Sequence, residues 1–548
     1  MKKLILILIA LTLAACQRLE SQSMTRSIPP LPQDPLIRVY FNHAQSNSYV
    51  EPYRQQKRSG DDLEEAIVDT IATAKSTVDV AVQELRLPKI AKALVSSQKA
   101  GVKVRVILEN TYSRPWSKFT PDEVAQLSER ERGRYNEFRQ LVDINRDNQL
   151  SPEEINQRDA LIILQNAGIP IIDDTADGSK GSGLMHHKFV VVDNRRLIVT
   201  SANFTTSDIH GDFTNPSSLG NANNLLQIES PELANLFTDE FNILWGDGPK
   251  GKPDSKFGIQ KPFRPAQQVM VGTTIVKVEF SPTSSTVPWE DSSNGLIGKT
   301  LNSSTKSVSM ALFVFSEQRL ANILERKNES GVQIRALIDP DFAYRSYSEA
   351  LDMLGVALPN NCKYEVDNRP WRNPISTVGV PLLLKGDLLH HKFAVIDGET
   401  VITGSHNWSA AANKNNDETV LLIDSSIVAA HFAREFDRLY NHATLGLPDG
   451  IKRKIEKQRQ QCPQITVSSP SPASSSLPKV SANQNSAKVN LNTASQAELE
   501  TLPGVGPKLA LEIMKARQQK PFTSLEDLDN VPGIGPSLLA KLQDKVTW

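Results

Sequence analysis

The chain has no surplus of either charge: 61 Lys and Arg stand against 62 Asp and Glu, a formal net charge of −1. Affinity for nucleic acid therefore cannot be argued from the chain as a whole. Cysteine is scarce, with only Cys16, Cys362 and Cys462 in 548 residues. The apolar run that opens the chain, Leu4 to Leu13, is too short to span a bilayer as a mature helix. What is present is length, enough for a multidomain body with ample core.

The dominant feature of that length is a stretch that occurs twice. His390, Lys392, Asp397, Gly404, Ser405 and Asn407 lie in HHKFAVIDGETVITGSHN; His186, Lys188, Asp193, Thr200, Ser201 and Asn203 repeat the spacing in HHKFVVVDNRRLIVTSAN. Each HHKF run reads as a buried strand, apolar and rich in β-branched residues. Strand side chains alternate, so His390 shares a face with Lys392, and His186 with Lys188. Asp193 and Asp397 follow their histidines at an odd offset, face away from them, and are expected to support the turn. The return strands bring Ser201 and Asn203, and Ser405 and Asn407, back beside each His–Lys pair. His187 and His391 fall on the opposite face and read as structural. A lone histidine on an apolar strand is usually a core residue; two copies in register with Lys, Ser and Asn argue against that here.

The doubled motif resembles that of the phospholipase D superfamily, over most of residues 37–445. The resemblance implies two pseudo-symmetric halves sharing one active site. One imidazole would attack phosphorus to give a phosphohistidine, and the other would protonate the leaving oxygen. Lys188, Lys392, Asn203 and Asn407 would hold the non-bridging oxygens. This scheme requires no cofactor. Family habit favours His186 as the nucleophile, while the residues themselves leave the choice open.

The halves, 37–248 and 271–445, also repeat in element order. DLEEAIVDTIATAKS, VDVAVQEL, LPKIAKALVSSQKAG and VKVRVILEN predict helix, strand, helix, strand. NGLIGKTLNSSTKS, VSMALFVFS, EQRLANILERKNESG and VQIRALIDP follow the same order. Gly101 and Gly331 stand where the second helices should end. Such alternation predicts an α/β layered fold with a mostly parallel sheet. Residues 247–270, GDGPKGKPDSKFGIQKPFRP and its flanks, read as a basic, solvated linker.

Two differences separate the halves. An insertion at about residues 119–160 contains DINRDNQLSPEE, where Asp143, Asn145, Asp147, Gln149, Ser151 and Glu154 resemble the ligands of an EF-hand calcium loop flanked by helices. Asn148 replaces the usual Gly, and Asn tolerates the left-handed conformation. Ca2+ is therefore expected there, against a plain helix–turn–helix with an acidic turn. The second difference lies eleven residues past the second motif's Asn, a point that a longer loop displaces in the first half. There the second half has Glu418, and family members commonly carry a carboxylate that orients a catalytic imidazole. In the first half Asn224 falls at the matching place. This predicts that His390 has a carboxylate partner and His186 does not.

At the N-terminus, Leu13-Ala14-Ala15-Cys16 resembles a bacterial lipobox. It implies a signal peptide over 1–16, lipid on Cys16 and a Pro-rich tether over 17–36. The expected location is then extracytoplasmic, on a membrane. A Cys362–Cys462 disulfide suits that compartment, with two free thiols as the alternative.

Residues 446–487 comprise a basic helix and a Ser/Pro-rich linker with too little apolar content to fold. Residues 488–548 carry LPGVGPKLA and VPGIGPSLL, and resemble the all-α helix-hairpin-helix domain of competence-type DNA receptors. Gly504, Val505 and Gly506, with Gly533, Ile534 and Gly535, would present backbone amides to DNA phosphates without reading sequence. A protein-docking hairpin is the alternative.

Together these modules predict a phosphodiesterase cutting nucleic acid at the cell envelope. A phospholipase D acting on membrane phospholipids is the runner-up, and a DNA-binding envelope protein with vestigial catalytic halves the third reading. Complete motifs count against the third.

Overall fold

The computed structural model describes residues 28–462 apart from 180–182, 361 and 366, and, in the tail, residues 488–494, 499, 502, 505, 507–529 and several positions beyond. Cys16 lies outside the described residues. The chain divides into two compact units, 1–466 and 467–548.

The first half of the larger unit runs β1 (Ile37–Phe41), α1 (Leu63–Ala72), β2 (Thr77–Val82), α2 (Pro88–Lys99) and β3 (Lys103–Leu108). After these come the inserted helices α3 (Glu129–Val142) and α4 (Pro152–Arg158), then α5 (Ala160–Asn166), β4 (Ile171–Asp173), β5 (Lys188–Val192), β6 (Arg196–Thr200), β7 (Asn224–Glu229) and α6 (Pro231–Trp245). Local chemistry places the boundaries. Asp62 caps α1 by accepting from the Glu65 amide, 3.0 Å. Gly101 ends α2 at φ +90°, a conformation that favours a residue without Cβ.

The second half runs β8 (Gln267–Val271), β9 (Thr274–Ser281), α7 (Ser293–Asn302), β10 (Ser307–Leu312), α8 (Gln318–Glu329), β11 (Gln333–Ile338) and β12 (Val378–Val380). It closes with β13 (Lys392–Ile396), β14 (Thr400–Gly404), β15 (Glu418–Asp424), α9 (Ser426–Tyr440), β16 (Thr444–Leu445) and α10 (Asp449–Gln461).

Strand order is β1-β7-β6-β5-β2-β3-β4 in the first sheet and β8-β9-β15-β14-β13-β10-β11-β12-β16 in the second. The mostly parallel sheet is corrected. Within these two sheets only β2-β3-β4 and β10-β11-β12 pair in parallel, and the other pairings are antiparallel. Parallel neighbours need a crossover, and those strands have one. The motif strands instead return directly: Val192 pairs with Arg196 and Ile396 with Thr400, so each hairpin closes within three residues.

Alternation along the motif strands sorts their side chains between cores. Phe189, Val191, Phe393 and Val395 enter a core shared by both sheets, where Phe237 and Phe241 of α6 and Phe432 and Phe436 of α9 also lie. Val190 and Val192 face the first half's own outer core, and Ala394 and Ile396 the second's. The halves are thus joined by buried apolar surface, the dominant stabilising term in such a contact. The 247–270 segment is not wholly solvated either. Lys261 is buried, 2.6 Å from Glu240 and 2.7 Å from Asp417, which fastens the linker to both halves.

Asp193 and Asp397 sit at the turns, at φ +54° and +55°. Asp193 accepts from the amides of Lys75, Ser76 and Thr77, and Asp397 from those of Thr305, Lys306 and Ser307. Burial pushes the Asp397 carboxyl up, but these donors outweigh it and hold it down at about 2. Its stabilising contribution is therefore complete above an unfolded carboxyl pKa of about 4 and is lost as pH falls through about 2. Asp397→Ala should cost about 1 kcal/mol at pH 7, since the turn is partly solvated. In urea unfolding the variant should converge on the parent near pH 2.

Candidate active site

Both motif histidines lie at the seam between the halves. The segment before β5 crosses to the second half, where the His186 amide donates to Asp417 O, 2.9 Å. The segment before β13 crosses the other way, and the His390 amide donates to Ala222 O, 3.1 Å. Lys188 and Lys392 point to the same side, their Nζ atoms donating to the carbonyls of His186 (2.9 Å) and His390 (2.6 Å).

The crossing decides which group orients which imidazole. Glu418 Oε2 lies 2.7 Å from His186 Nδ1, so the carboxylate serves the histidine of the opposite half. The expectation that Glu418 partners His390 is thereby corrected. His390 Nδ1 lies 3.0 Å from Asn223 Oδ1, with Asp208 Oδ1 at 3.6 Å. Asn223, rather than Asn224, is the counterpart of Glu418. The amides of Ser201 and Ser405 donate to Asn224 O and Thr419 O, which equates those two residues and shifts the match by one. The longer loop of the first half leaves the end of the match undefined in the sequence, and only the strand pairing fixes it. Ser201 Oγ donates to Asn223 Oδ1, 2.7 Å, and Ser405 Oγ accepts from the Thr419 amide, 3.0 Å.

Asn224 and Thr419 instead contact the second histidine of each pair. His391 Nδ1 lies 3.1 Å from Asn224 Nδ2 and its Nε2 3.1 Å from Glu435; His187 Nδ1 lies 2.9 Å from Thr419 Oγ1 and its Nε2 2.9 Å from Glu240. Each is bonded at both ring nitrogens and packs in the interior.

Two further site residues, besides Asn223, escaped the sequence reading. Asp208, four per cent exposed, accepts from the Asn203 amide and from Asn221. His406 is two per cent exposed, and neither ring nitrogen has a protein partner among the described residues. One signal was available for His406: the first motif has Ala202 at the same place.

The electrostatics are dominated by burial. It lowers the His186 imidazole to about 4 despite the attraction of Glu418, and Lys188 adds to the lowering. It lowers His390 well below the ordinary range, with the charges of Lys392 and Lys188 acting the same way. Lys188 itself is brought to about 8 by burial. Burial opposes ionisation of Glu418, yet His186 and the nearby cations hold it at about 2. The free site thus carries neutral imidazoles beside a carboxylate and two lysines. The side-chain oxygens of Asn203 and Asn407 are buried and lack protein partners among the described residues, so these amides can turn to meet an incoming oxyanion.

The other candidate residues lie elsewhere. In the inserted loop Glu154 turns onto the amides of Ile144, Asn145 and Ser151, and Asp143 onto those of Asp147 and Asn148. Ser151 caps α4, Asn145 and Asp147 bond each other, and the Gln149 amide donates to Asp147. Among the described residues no three His, Cys, Asp or Glu side chains converge as a metal cage. Asn148 takes φ +63°, the conformation expected of it. Cys362 and Cys462 are disulfide-bonded, Cα–Cα 5.4 Å. In the tail, Val505 and Ile534 are buried in the small unit's own core, while Gly504, Gly506, Gly533 and Gly535 lie outside the described residues.

Two half-domains that pool two His–Lys pairs at one seam define a phosphodiesterase of the phospholipase D superfamily. The family described as "Cardiolipin synthase, PLD-like domain" matches residues 67–245 and 297–440, more than half of the chain, and the chain belongs to it. A helix-hairpin-helix motif matches residues 484–547. Mitochondrial cardiolipin hydrolase from Xenopus laevis is 27% identical over 186 residues, 33% of this chain and 78% of that protein. The Mus musculus protein of that name is 27% identical over 156 residues, 28% of this chain and 61% of the relative. Among solved structures, the phospholipase D family member Nuc from Salmonella typhimurium is 20% identical, covering 32% of this chain and 99% of that one, with a TM-score of 0.25. Phosphatidylserine synthase from Haemophilus influenzae is 13% identical, covering 77% and 93%, with a TM-score of 0.45.

Because kcat/KM reports the free enzyme, its acid limb should fall near pH 4, where His186 protonates. Glu418 raises the His186 pKa, so Glu418→Gln should move the acid limb lower. The variant should also lose about 10²–10⁴-fold in kcat. A pH–rate series on both proteins checks this.

Proposed function

We propose that the protein is a sequence-nonspecific endonuclease acting on DNA at the cell envelope through a phosphohistidine on His186. The observation that carries this reading is the coupling in one chain of a two-histidine phosphodiesterase site to a helix-hairpin-helix tail. The tail has seven Lys and Arg against seven Asp and Glu, so its hold on DNA rests on backbone amides rather than bulk charge.

Glu418 supports His186 as nucleophile. It accepts the Nδ1 proton, leaves Nε2 with a free lone pair, and offsets the positive charge the ring gains on forming the P–N bond. Lys188, Lys392, Asn203 and Asn407 then hold the non-bridging oxygens. His390 gives a proton to the leaving oxygen as the P–O bond breaks. It next takes a proton from water, which attacks phosphorus and releases His186. The incoming phosphodiester anion raises the pKa of His390 toward the value its acid role needs.

A phospholipid substrate is the second reading, favoured by the cardiolipin hydrolase names of the relatives. The lipobox at Cys16 and the Cys362–Cys462 disulfide support an oxidising, membrane-tethered location for either. Protein lacking residues 1–16 should nick plasmid DNA in chelator, and His186→Ala or His390→Ala should each abolish nicking. Phosphatidylcholine or cardiolipin hydrolysis without nicking would overturn the endonuclease reading. Deletion of 463–548 should weaken DNA binding while sparing hydrolysis of a small phosphodiester.

We also propose Ca2+ binding at the Asp143–Glu154 loop, with Glu154 leaving the loop amides to bind the ion. Oxygen donors at the calcium-loop spacing, flanking helices and the left-handed Asn148 support this. Calorimetric titration should show one site, lost in Glu154→Gln; a flat titration of the parent refutes it.

A further inference from the structure

Nothing in the sequence places the insertion near the histidines, but the structure does. The Glu137 carboxylate of α3 accepts from the amides of Phe213 and Thr214, in the loop that follows the first motif. On one side of α3 opens a small cleft lined by Asn203 and Asp208 of that loop, together with Arg86 and Arg134. On the other opens a cleft of about 600 Å³, lined by Tyr53, Arg54, Arg146, Arg158 and Phe213. Leu141 of α3 belongs to both walls, so the two clefts adjoin at that side chain.

Three arginines along this path are without an ion pair among the described residues. Arg134 makes one hydrogen bond, to Tyr112 Oη, 2.7 Å. Arg158 lies over the Tyr53 ring, 5.2 Å from its centroid, and Arg146 projects from the exposed loop. Arg54 and Arg86 are already engaged, by Glu51 with three backbone carbonyls and by Glu84. The carboxylates that face the path are similarly occupied. Glu84 is paired with Arg86, Glu137 holds Phe213 and Thr214, Asp208 holds the Asn203 amide, and Asp143 accepts from Asp147 and Asn148. Free guanidinium forks recognise phosphate through paired N–H donors. A ligand with one phosphodiester has nothing to place on the outer two.

We propose that the two adjoining clefts together form a polynucleotide track. Arg134 would take the phosphate next to the scissile one, and Arg158 and Arg146 the phosphates beyond it. The inserted helical hairpin then acts as a clamp on the strand. This rests on the endonuclease reading and adds to it the path of the polymer.

The test uses the full chain carrying Arg146→Asn with Arg158→Gln; Asn tolerates the φ of +62° at that position. For a single-stranded oligonucleotide, KM should rise about tenfold with kcat unchanged, and hydrolysis of a small aryl phosphodiester should not move. The slope of log affinity against log salt should fall by about 1.4, two phosphate contacts at about 0.7 each. The tail is the same in both proteins, so its contribution cancels in the difference. An unchanged salt slope and KM overturn the track. If the parent cleaves lipid and not DNA, the endonuclease reading fails, and the difference in salt slope still decides the track.

Discussion

The His186–Glu418 hydrogen bond is the contact on which the rest of the catalytic unit depends. It joins residues 232 positions apart, across a seam between two domains, with the carboxylate fully buried. Such a bond survives only where the surrounding packing holds both partners and its remaining donors are satisfied. The shared core supplies that rigidity, and the paired crossings at Asp417 and Ala222 supply the register. Neither half alone supplies the Nδ1 partner of its own motif histidine.

The same exchange makes the two histidines unequal. One ring donates to a carboxylate, the other to the neutral Asn223, although the motifs that carry them are near copies. Symmetry of fold is thus combined with asymmetry of charge at the two imidazoles. The flanking His187 and His391 are held alike, each by a buried glutamate, Glu240 and Glu435. Fixing those rings keeps the adjacent catalytic pair aligned.

The inserted hairpin is the feature that distinguishes this chain's site from a bare two-motif core. It packs on the loop between Asn203 and Asn223, the stretch that carries both a substrate-facing amide and the orienter of His390. The linker through Lys261 does the corresponding work from the other side, reaching Asp417 one residue before Glu418.

The sequence by itself determined what is local. Alternation put His186 with Lys188 and His390 with Lys392, odd spacing sent Asp193 and Asp397 to the turns, and Gly101 and Gly331 marked where helices stop. Those follow from period and backbone preference, which act within a few residues. Only the tertiary structure decided partners. Glu418 was visible as a carboxylate at a telling place, but its assignment to His186 depends on chain crossings that no spacing records. Asn223 was missed because the longer loop of the first half leaves the end of the match undefined in the sequence. The antiparallel share of both sheets and the position of α3 beside Asn203 were likewise matters of how distant segments pack. Local signals name the groups; only burial against the other half says which of them meet.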